Sequence, residues 1–351
     1  MGCEMISAVV PCFNQGRYLG EVVESLLGQR GVDGERLRGG VEVIVVNDGS
    51  TDETREVAAR FGGRIRYVEQ ENGGVCAARN RGLTEARGEL VHFIDADDYV
   101  GAGFYARILR AVRERPEAGF WYGDCHIVDE QKRFGWTWRA EEMAPPGDAF
   151  HACLARDYAG TCAAVIRREV VERAGGWDRA YRGAEDWELW IRIALMGTKF
   201  MAVPGADSFY RRHEDSTTGD FERMYFDGLR VIRAHSGHHG RCAKCAEAVR
   251  VGRREMRRVC VERSYWQSMG REKRASGMRG ALGFLARTCW REPALVGEVL
   301  RRARRDLGAL TWGQDARRDS GRGAVRAHGM MALGRELNPN HRVTETQRHS
   351  G

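Results

Sequence analysis

Three carboxylates stand within four positions at the end of one apolar run. Asp95, Asp97 and Asp98 follow Leu90-Val91-His92-Phe93-Ile94, whose residue types are those of a buried strand. Carboxylates at the carboxyl end of such a strand fall where open α/β sheets bind their ligands. Strand alternation sends Asp95 and Asp97 roughly the same way, so two hard oxygen donors can converge on one cation or one sugar. A solvated acidic turn closing a strand is the plain alternative, and this stretch by itself does not choose between them.

Three further places offer chemistry. Asp48 ends the apolar run Val41–Val46 and opens Asp48-Gly49-Ser50. Glu185-Asp186 precede Trp187, and His213 follows the strand-like Ser208–Arg212. Each has a bland reading. Asp-Gly-Ser is usually a turn, acidic residues at a helix start complement its dipole, and a lone histidine is usually a satisfied polar group. Their joint occurrence, in this order on a predicted α/β sheet, is what shifts the balance toward function.

The elements that must position them follow from periodicity. Ile6–Pro11 reads as a strand, and Tyr18, Leu19, Val22, Val23, Leu26 and Leu27 as the apolar face of a helix. Val41–Val46 is near-continuously apolar, as parallel strands are. Ser50 and Glu53 have capping-box spacing for a helix holding Val57, Ala58 and Phe61. Ile65–Val68 is a third strand, and a helix from Val75 to about Ala86 precedes Leu90. Strands and helices in alternation predict a doubly wound α/β sheet. Beyond Asp98 come a helix over 104–112, a strand over 120–123 and a mobile excursion over 129–150. A strand over 162–166, a Trp-rich helix over 185–196 and strands over 199–203 and 208–212 follow. Helical patterns then fill roughly 220–235, 243–268 and 278–307.

Composition bounds the class. The 351 residues are 42% hydrophobic and 30% charged, ordinary for a soluble globular protein. The net charge of +7 is uneven: residues 250–351 carry 23 Lys and Arg against 10 Asp and Glu, and residues 1–249 carry 33 against 39. No run approaches eighteen apolar residues. The first strand begins close to Met1, and Ile6 stands where a myristoylation start wants Ser or Thr. The expected location is cytoplasmic. Ten cysteines without disulfide spacing read as reduced thiols, with Cys12, Cys76, Cys162 and Cys260 buried.

With these motifs in order, the chain closely resembles glycosyltransferase family 2, an inverting family with the GT-A fold. The pieces are Val9-Val10-Pro11-Cys12-Phe13-Asn14, Val46-Asn47-Asp48-Gly49-Ser50-Thr51-Asp52, Gly73-Gly74-Val75-Cys76-Ala77-Ala78-Arg79-Asn80-Arg81-Gly82, Phe93-Ile94-Asp95-Ala96-Asp97-Asp98, Gly175-Gly176-Trp177-Asp178, and Gly183 to Trp190. The resemblance spans about residues 5–215. It implies a GT-A domain, a Rossmann-like doubly wound mixed sheet, over 1–218. Beyond the resemblance, the helical patterns and charge make 219–312 a basic helical extension, and the polar, weakly periodic remainder is expected to be a disordered tail over 313–351.

The resemblance also implies roles. Asp48 and Arg79 would contact the nucleotide base, with Pro11, Phe13 and Asn14 lining the same pocket, and Asp95 would hold the ribose. Asp97, with His213, would bind Mn²⁺ or Mg²⁺ across the diphosphate of a nucleotide-sugar donor, UDP favoured. Asp186 would be the general base that deprotonates the acceptor hydroxyl, with Glu185 and Trp187 on the acceptor side. Trp187 and Trp190 would form an apolar wall or platform for the acceptor, or pack in the core. Absence of a Gln-x-x-Arg-Trp after Asp186 and of membrane spans points to single-sugar rather than processive transfer. The acceptor would be a glycan, a lipid-linked molecule or a small molecule, chosen by residues 129–160 and the helical region. A nucleotide-sugar-binding or scaffold protein without catalysis is the alternative.

Two features lie outside the resemblance. Cys242-Ala243-Lys244-Cys245 with His235, His238 and His239 could hold zinc, but structural sites usually show a second well-spaced ligand pair. A polar loop with two incidental thiols is the preferred reading. The basic stretch with Arg253, Arg254, Arg257, Arg258, Leu282, Phe284, Leu285 and Trp290 suits either a solvated helical face or peripheral contact with an anionic membrane. No nucleic-acid-binding module accompanies it, so no nucleic acid is expected.

Overall fold

A computed structural model describes residues 5–304 apart from 32–34, 36, 38, 144–148, 214–215, 217–219, 261–264 and 303. The elements, in chain order, begin with β1 (Ile6–Cys12), α1 (Gly16–Leu27), β2 (Val41–Asn47), α2 (Thr54–Ala59), β3 (Arg66–Glu69), α3 (Val75–Glu85) and β4 (Leu90–Phe93). Then come β5 (Tyr99–Val100), α4 (Phe104–Glu114), β6 (Phe120–Asp129), β7 (Phe134–Trp138), α5 (Ala140–Met143) and α6 (Ala149–Ala155). After these run β8 (Ala164–Arg167), α7 (Arg168–Arg173), α8 (Glu185–Leu195), β9 (Phe200–Arg212), α9 (Phe221–His235), α10 (Ala243–Val259) and α11 (Trp266–Arg291).

The strands form one mixed sheet in the order β3-β2-β1-β4-β8-β6-β9-β5, with β7 on β6. The first four are parallel. β8 runs antiparallel between β4 and β6, and β9 returns parallel to β6. Alternation in β1 and β2 feeds both faces. Val9, Ile44 and Val46 pack with α3, α6 and α8, while Ile6, Ala8, Val10, Val43 and Val45 pack with α1, α2 and α4. Burial on both sides is why these strands read as unbroken apolar runs. Each fully buried Val or Ile contributes roughly 1.5–3 kcal/mol, enough to offset the roughly 1–2 kcal/mol of backbone entropy it gives up. Close approach matters at Gly82, where an added Cβ would stand 2.2 Å from Val9 Cγ1.

Several expectations are corrected. The Ser50/Glu53 capping box does not form. Asp52 does that work instead, accepting from Thr54 N at 3.1 Å and from Gly16 N at 2.8 Å, and so tying the starts of α1 and α2 together. Residues 129–150 are not an open excursion throughout, since β7 and α5 occupy part of them. Strands 199–203 and 208–212 are one strand, β9, which passes through Gly205 at φ +77° with a register shift against β6. The helices expected over 243–268 and 278–307 divide elsewhere: α10 ends at Val259, and α11 starts at Trp266 and kinks at Gly277.

The helices α9 and α10 add Val231, Ile232, Cys245 and Ala248 to the core on the α8 face. Tyr225, Cys260, Tyr265, Leu295 and Val299 form a smaller cluster of their own. Cys12, Cys76, Cys162 and Cys260 are buried thiols, as expected. The described residues up to Arg302 form one compact unit. The tail over 313–351 lies outside the described residues. Among the described residues no helix is long and apolar enough to cross a membrane.

Candidate active site

Parallel register sets the carboxyl ends of three strands side by side, with Pro11 opposite Val46 and Val9 opposite Phe93. The loops leaving them carry most of the candidate residues. Asp48 is buried, and its carboxylate accepts from Gly73 N (2.9 Å), Gly74 N (2.8 Å) and Gln70 Nε2 (2.7 Å). It therefore holds the Gly-Gly loop that opens α3, where Gly74 adopts φ +84°. Asn14, itself at φ +53°, accepts from Thr51 N at 2.8 Å and donates its own N–H to Ser50 Oγ at 2.9 Å. That pair locks the loop after β1 to the loop after β2. Phe13 beside it is 48% exposed and offers a bare ring at the rim, whereas Pro11 is buried in β1.

Arg79 joins the two sides of the site. It comes from α3, is buried, and donates to Asp95 Oδ1 at 2.7 Å and to Glu185 Oε1 at 3.1 Å. Its guanidinium lies over the Trp177 ring at 4.3 Å. Burial works against the charge, but the two carboxylates outweigh it and raise the guanidinium pKa. Trp177 is in turn held by Asn80, which accepts from Trp177 N and donates to Trp177 O, both at 2.8 Å.

The turn between β4 and β5 sends its three carboxylates to different partners. Asp95 meets Arg79. Asp97 Oδ2 meets His213 Nε2 at 2.7 Å and Gln15 Nε2 at 3.4 Å. Asp98 leaves the cluster: it is buried, and Oδ1 accepts from Arg211 N at 2.9 Å. Burial, followed by the charges of its neighbours, holds the Asp98 carboxyl well above the usual carboxylate range. Asp97 and His213 fit a divalent cation. Adjacent donors around an octahedral ion at about 2.1 Å stand about 3 Å apart, close to the separation here, and a carboxylate with an imidazole is an ordinary donor set.

Across from this turn, Glu185 and Asp186 open α8. Burial raises both carboxyls, Arg79 pulls both back down, and Asp186 adds to the rise at Glu185. Asp186 Oδ1 accepts from Trp187 N at 2.7 Å, and Oδ2 from Thr161 Oγ1 at 3.4 Å. Asp157, exposed in the loop after α6, is a further charged neighbour of this pair, and local desolvation followed by the Asp186 charge pushes its carboxyl up. Trp187 and Trp190 do not form a platform. Both are buried, and their indole N–H groups donate to the Cys153 and Ala159 carbonyls. Sequence reasoning missed Gln15, Asp157 and Thr161 as site residues, since none carries a local pattern.

Comparison with known proteins bears on the family and the fold. The model of the family "Glycosyl transferase family 2" matches residues 7–175. The uncharacterized glycosyltransferase EpsJ of Bacillus subtilis is 38% identical over 113 residues, 31% of this chain and 31% of EpsJ. The chain thus spans under a third of that relative. The S. aureus TarS 1-349 structure in complex with UDP-GlcNAc superposes with a TM-score of 0.55 at 17% identity, covering 83% of each chain. The mannosyltransferase PcManGT from Pyrobaculum calidifontis, in complex with GDP-Man and Mn²⁺, superposes with a TM-score of 0.53 at 19% identity, covering 89% of this chain and 84% of that one. Residues 7–175 thus match the model of glycosyl transferase family 2, and the fold is GT-A.

Proposed function

We propose that the chain is an inverting, non-processive glycosyltransferase that moves one sugar from a nucleotide-sugar donor, UDP-linked by preference, to an acceptor hydroxyl. The observation that carries this reading is the Arg79 bridge between Asp95 and Glu185. It couples a donor-side carboxylate to the acidic pair that would face the acceptor. The uracil pocket would be lined by Phe13, Asn14 and the backbone at Pro11, with Asp48 and Arg79 beneath it, and Asp95 would take the ribose hydroxyls. Asp97 and His213 would hold Mn²⁺ or Mg²⁺, which when bound offsets charge on the departing diphosphate.

Asp186 is the proposed base. Its raised pKa brings it nearer the operating pH, where proton transfer is most effective. The acceptor oxygen forms its bond to the anomeric carbon while its proton passes to Asp186. The bond to the diphosphate breaks on the opposite face, and its electron pair leaves with the nucleotide. Inversion follows from that geometry. Glu185 keeps Arg79 in place, and Trp187 anchors the helix start from the core. The Gly-Gly loop and α3 orient the nucleotide. Domain limits at 218/219 and 312/313 are proposed with the same reading.

The test pairs UDP calorimetry, with and without Mn²⁺, with transfer assays on Asp186→Asn and Asp97→Ala. Asp186→Asn should lose about 10²–10⁴ in turnover and keep UDP affinity, while Asp97→Ala should lose the Mn²⁺-dependent part of binding. Normal turnover by Asp186→Asn would remove the base assignment. UDP binding without transfer to any acceptor by the unaltered chain would favour a binding or scaffold protein.

Peripheral contact with an anionic membrane is a second part of the proposal, with a glycan, lipid-linked or small-molecule acceptor. Its support lies on α11, where Met278, Leu282 and Trp290 (87% exposed) stand outward among Arg279 and Arg287. Phe284 and Leu285 face the smaller cluster instead. Co-sedimentation with anionic but not zwitterionic vesicles, weakened in Trp290→Ser, is the expected result. Binding to neither, or equal binding to both, would discard it.

A further inference from the structure

The loop joining α9 to α10 carries His239-Gly240-Arg241-Cys242-Ala243-Lys244-Cys245. Its spacing lacks a second well-separated ligand, which is why the thiols look incidental in the sequence. The fold supplies the missing donor. His151, on α6, brings Nε2 to 3.5 Å from Cys242 Sγ and 3.3 Å from Cys245 Sγ. His239 Nδ1 stands 3.5 Å from Cys245 Sγ. All four donor atoms lie within 4.8 Å of one another.

These distances are those of a coordination shell. A tetrahedral zinc with Zn–S of about 2.3 Å and Zn–N of about 2.0–2.1 Å needs sulfur–nitrogen edges of about 3.5 Å. Three such edges are present. Two thiolates and two imidazoles suit Zn²⁺ and are a poor donor set for Mg²⁺ or Mn²⁺. The surroundings favour the charged thiolates. Cys242 caps the start of α10, where the helix dipole is positive, and accepts from Cys245 N at 3.4 Å. The Phe150 ring packs against both imidazoles, with centroids 5.1 Å from His151 and 4.7 Å from His239. Cys245 is buried while His239 is exposed, so an ion can enter from one side.

We propose that His151, His239, Cys242 and Cys245 bind a structural zinc ion, separate from the cation proposed at Asp97. Four protein ligands leave no open position for water, the mark of a structural rather than a catalytic site. The ion would clamp α6 to the α9–α10 loop. That clamp matters for the cleft, because Cys153 on α6 accepts the Trp187 indole N–H and so backs the start of α8. The site stands whether or not the chain transfers sugar.

The experiment is cobalt titration of the reduced, metal-stripped full chain, followed by visible absorption and then zinc displacement. One equivalent of Co²⁺ should produce the thiolate-to-cobalt charge-transfer band and the intense visible bands of a tetrahedral site, and Zn²⁺ should erase both. Asp97 and His213 offer no thiolate, so an ion held there gives no such band. Cys242→Ser and Cys245→Ser should each lose about half of the charge-transfer intensity. His151→Ala should keep both thiolates and weaken binding by about tenfold or more. Circular dichroism on each variant separates lost ligation from lost fold, and the titration of the unaltered chain needs no variant. A missing charge-transfer band in the unaltered chain, a band unchanged in both cysteine variants, or unweakened binding by folded His151→Ala would each overturn the site.

Discussion

Replacing Arg79 with methionine removes the guanidinium that Asp95 and Glu185 share and leaves an unbranched apolar stem over Trp177. Truncating one partner of a buried ion pair costs about 3–5 kcal/mol, chiefly because the other charge stays buried without compensation. The two carboxylates do not share that cost equally. Glu185 is 13% exposed and Asp95 33%, so Glu185 bears most of it and solvent screens the other. A loss of about 3 kcal/mol near neutral pH follows. The loss also depends on pH, with a definite sign. Arg79 pulls the Glu185 and Asp186 carboxyls down, so without it both rise further and the native state takes up protons at higher pH than before. Lowering the pH therefore relieves the variant relative to the unaltered chain, by up to about 1.4 kcal/mol per pH unit for each carboxyl that protonates. Urea denaturation at about pH 7.5 and about pH 5.5 measures both quantities through the midpoint and its slope. Arg79→Lys should recover part of the loss, because one ammonium cannot reach both carboxylates with the guanidinium's fork. A deficit under about 1 kcal/mol, or one equal at the two pH values, would refute the bridge as described.

Three further outcomes are expected. His92 is wholly buried, hydrogen-bonded to Tyr105 OH and the Cys162 carbonyl, and burial lowers its pKa to about 4 from 6.5. The unfolded chain then binds the extra proton first. Stability present above about pH 6.5 is lost as the pH falls through about 4, by on the order of 3 kcal/mol. Denaturation of His92→Gln should show a flatter pH dependence over that window. Gly82→Ala should destabilise by about 1–3 kcal/mol despite alanine's better helix propensity, because its Cβ would strike Val9, and thermal denaturation reads this directly. The acid limb of kcat/KM should lie above the ordinary carboxylate range, since activity requires Asp186 without its proton and burial raises that group; an acid limb at or below that range would count against Asp186.

The strands were legible where burial on both faces leaves an unbroken apolar run, as in Val41–Val46 and Leu90–Ile94. They were misread where one residue carries two meanings. Pro204-Gly205 looks like a break between strands, yet Gly205 takes φ +77° and lets β9 continue past the bulge. The excursion expected over 129–150 contains a period of two in Phe134, Trp136 and Trp138, which is the pattern of β7. Ser50 and Glu53 have the spacing of a capping box, but the two Asp52 carboxylate oxygens reach both helix starts and take the donors.

The site was legible as a set of residues and not as a network. Arg79 and Glu185 stand 106 positions apart, and Cys245 and His151 stand 94 apart; spacing in the chain cannot report such meetings. What the meetings establish is a balance of charge. Asp95, Glu185, Asp186 and Asp157 form one electrostatic group around the buried Arg79, and Asp97, in the same turn as Asp95, pairs with the imidazole of His213. A diphosphate would bring further negative charge to that group. Under the proposed reading a divalent cation at Asp97 is therefore needed for the donor to bind, beyond any help it gives to departure. Donor and cation should then bind with positive coupling, each tightening the other by the same factor. Calorimetry of UDP across a Mn²⁺ series measures that factor. A UDP affinity independent of Mn²⁺ would mean that the chain neutralises the phosphates with its own cations, and Arg79, already spent on two carboxylates, is poorly placed to do it.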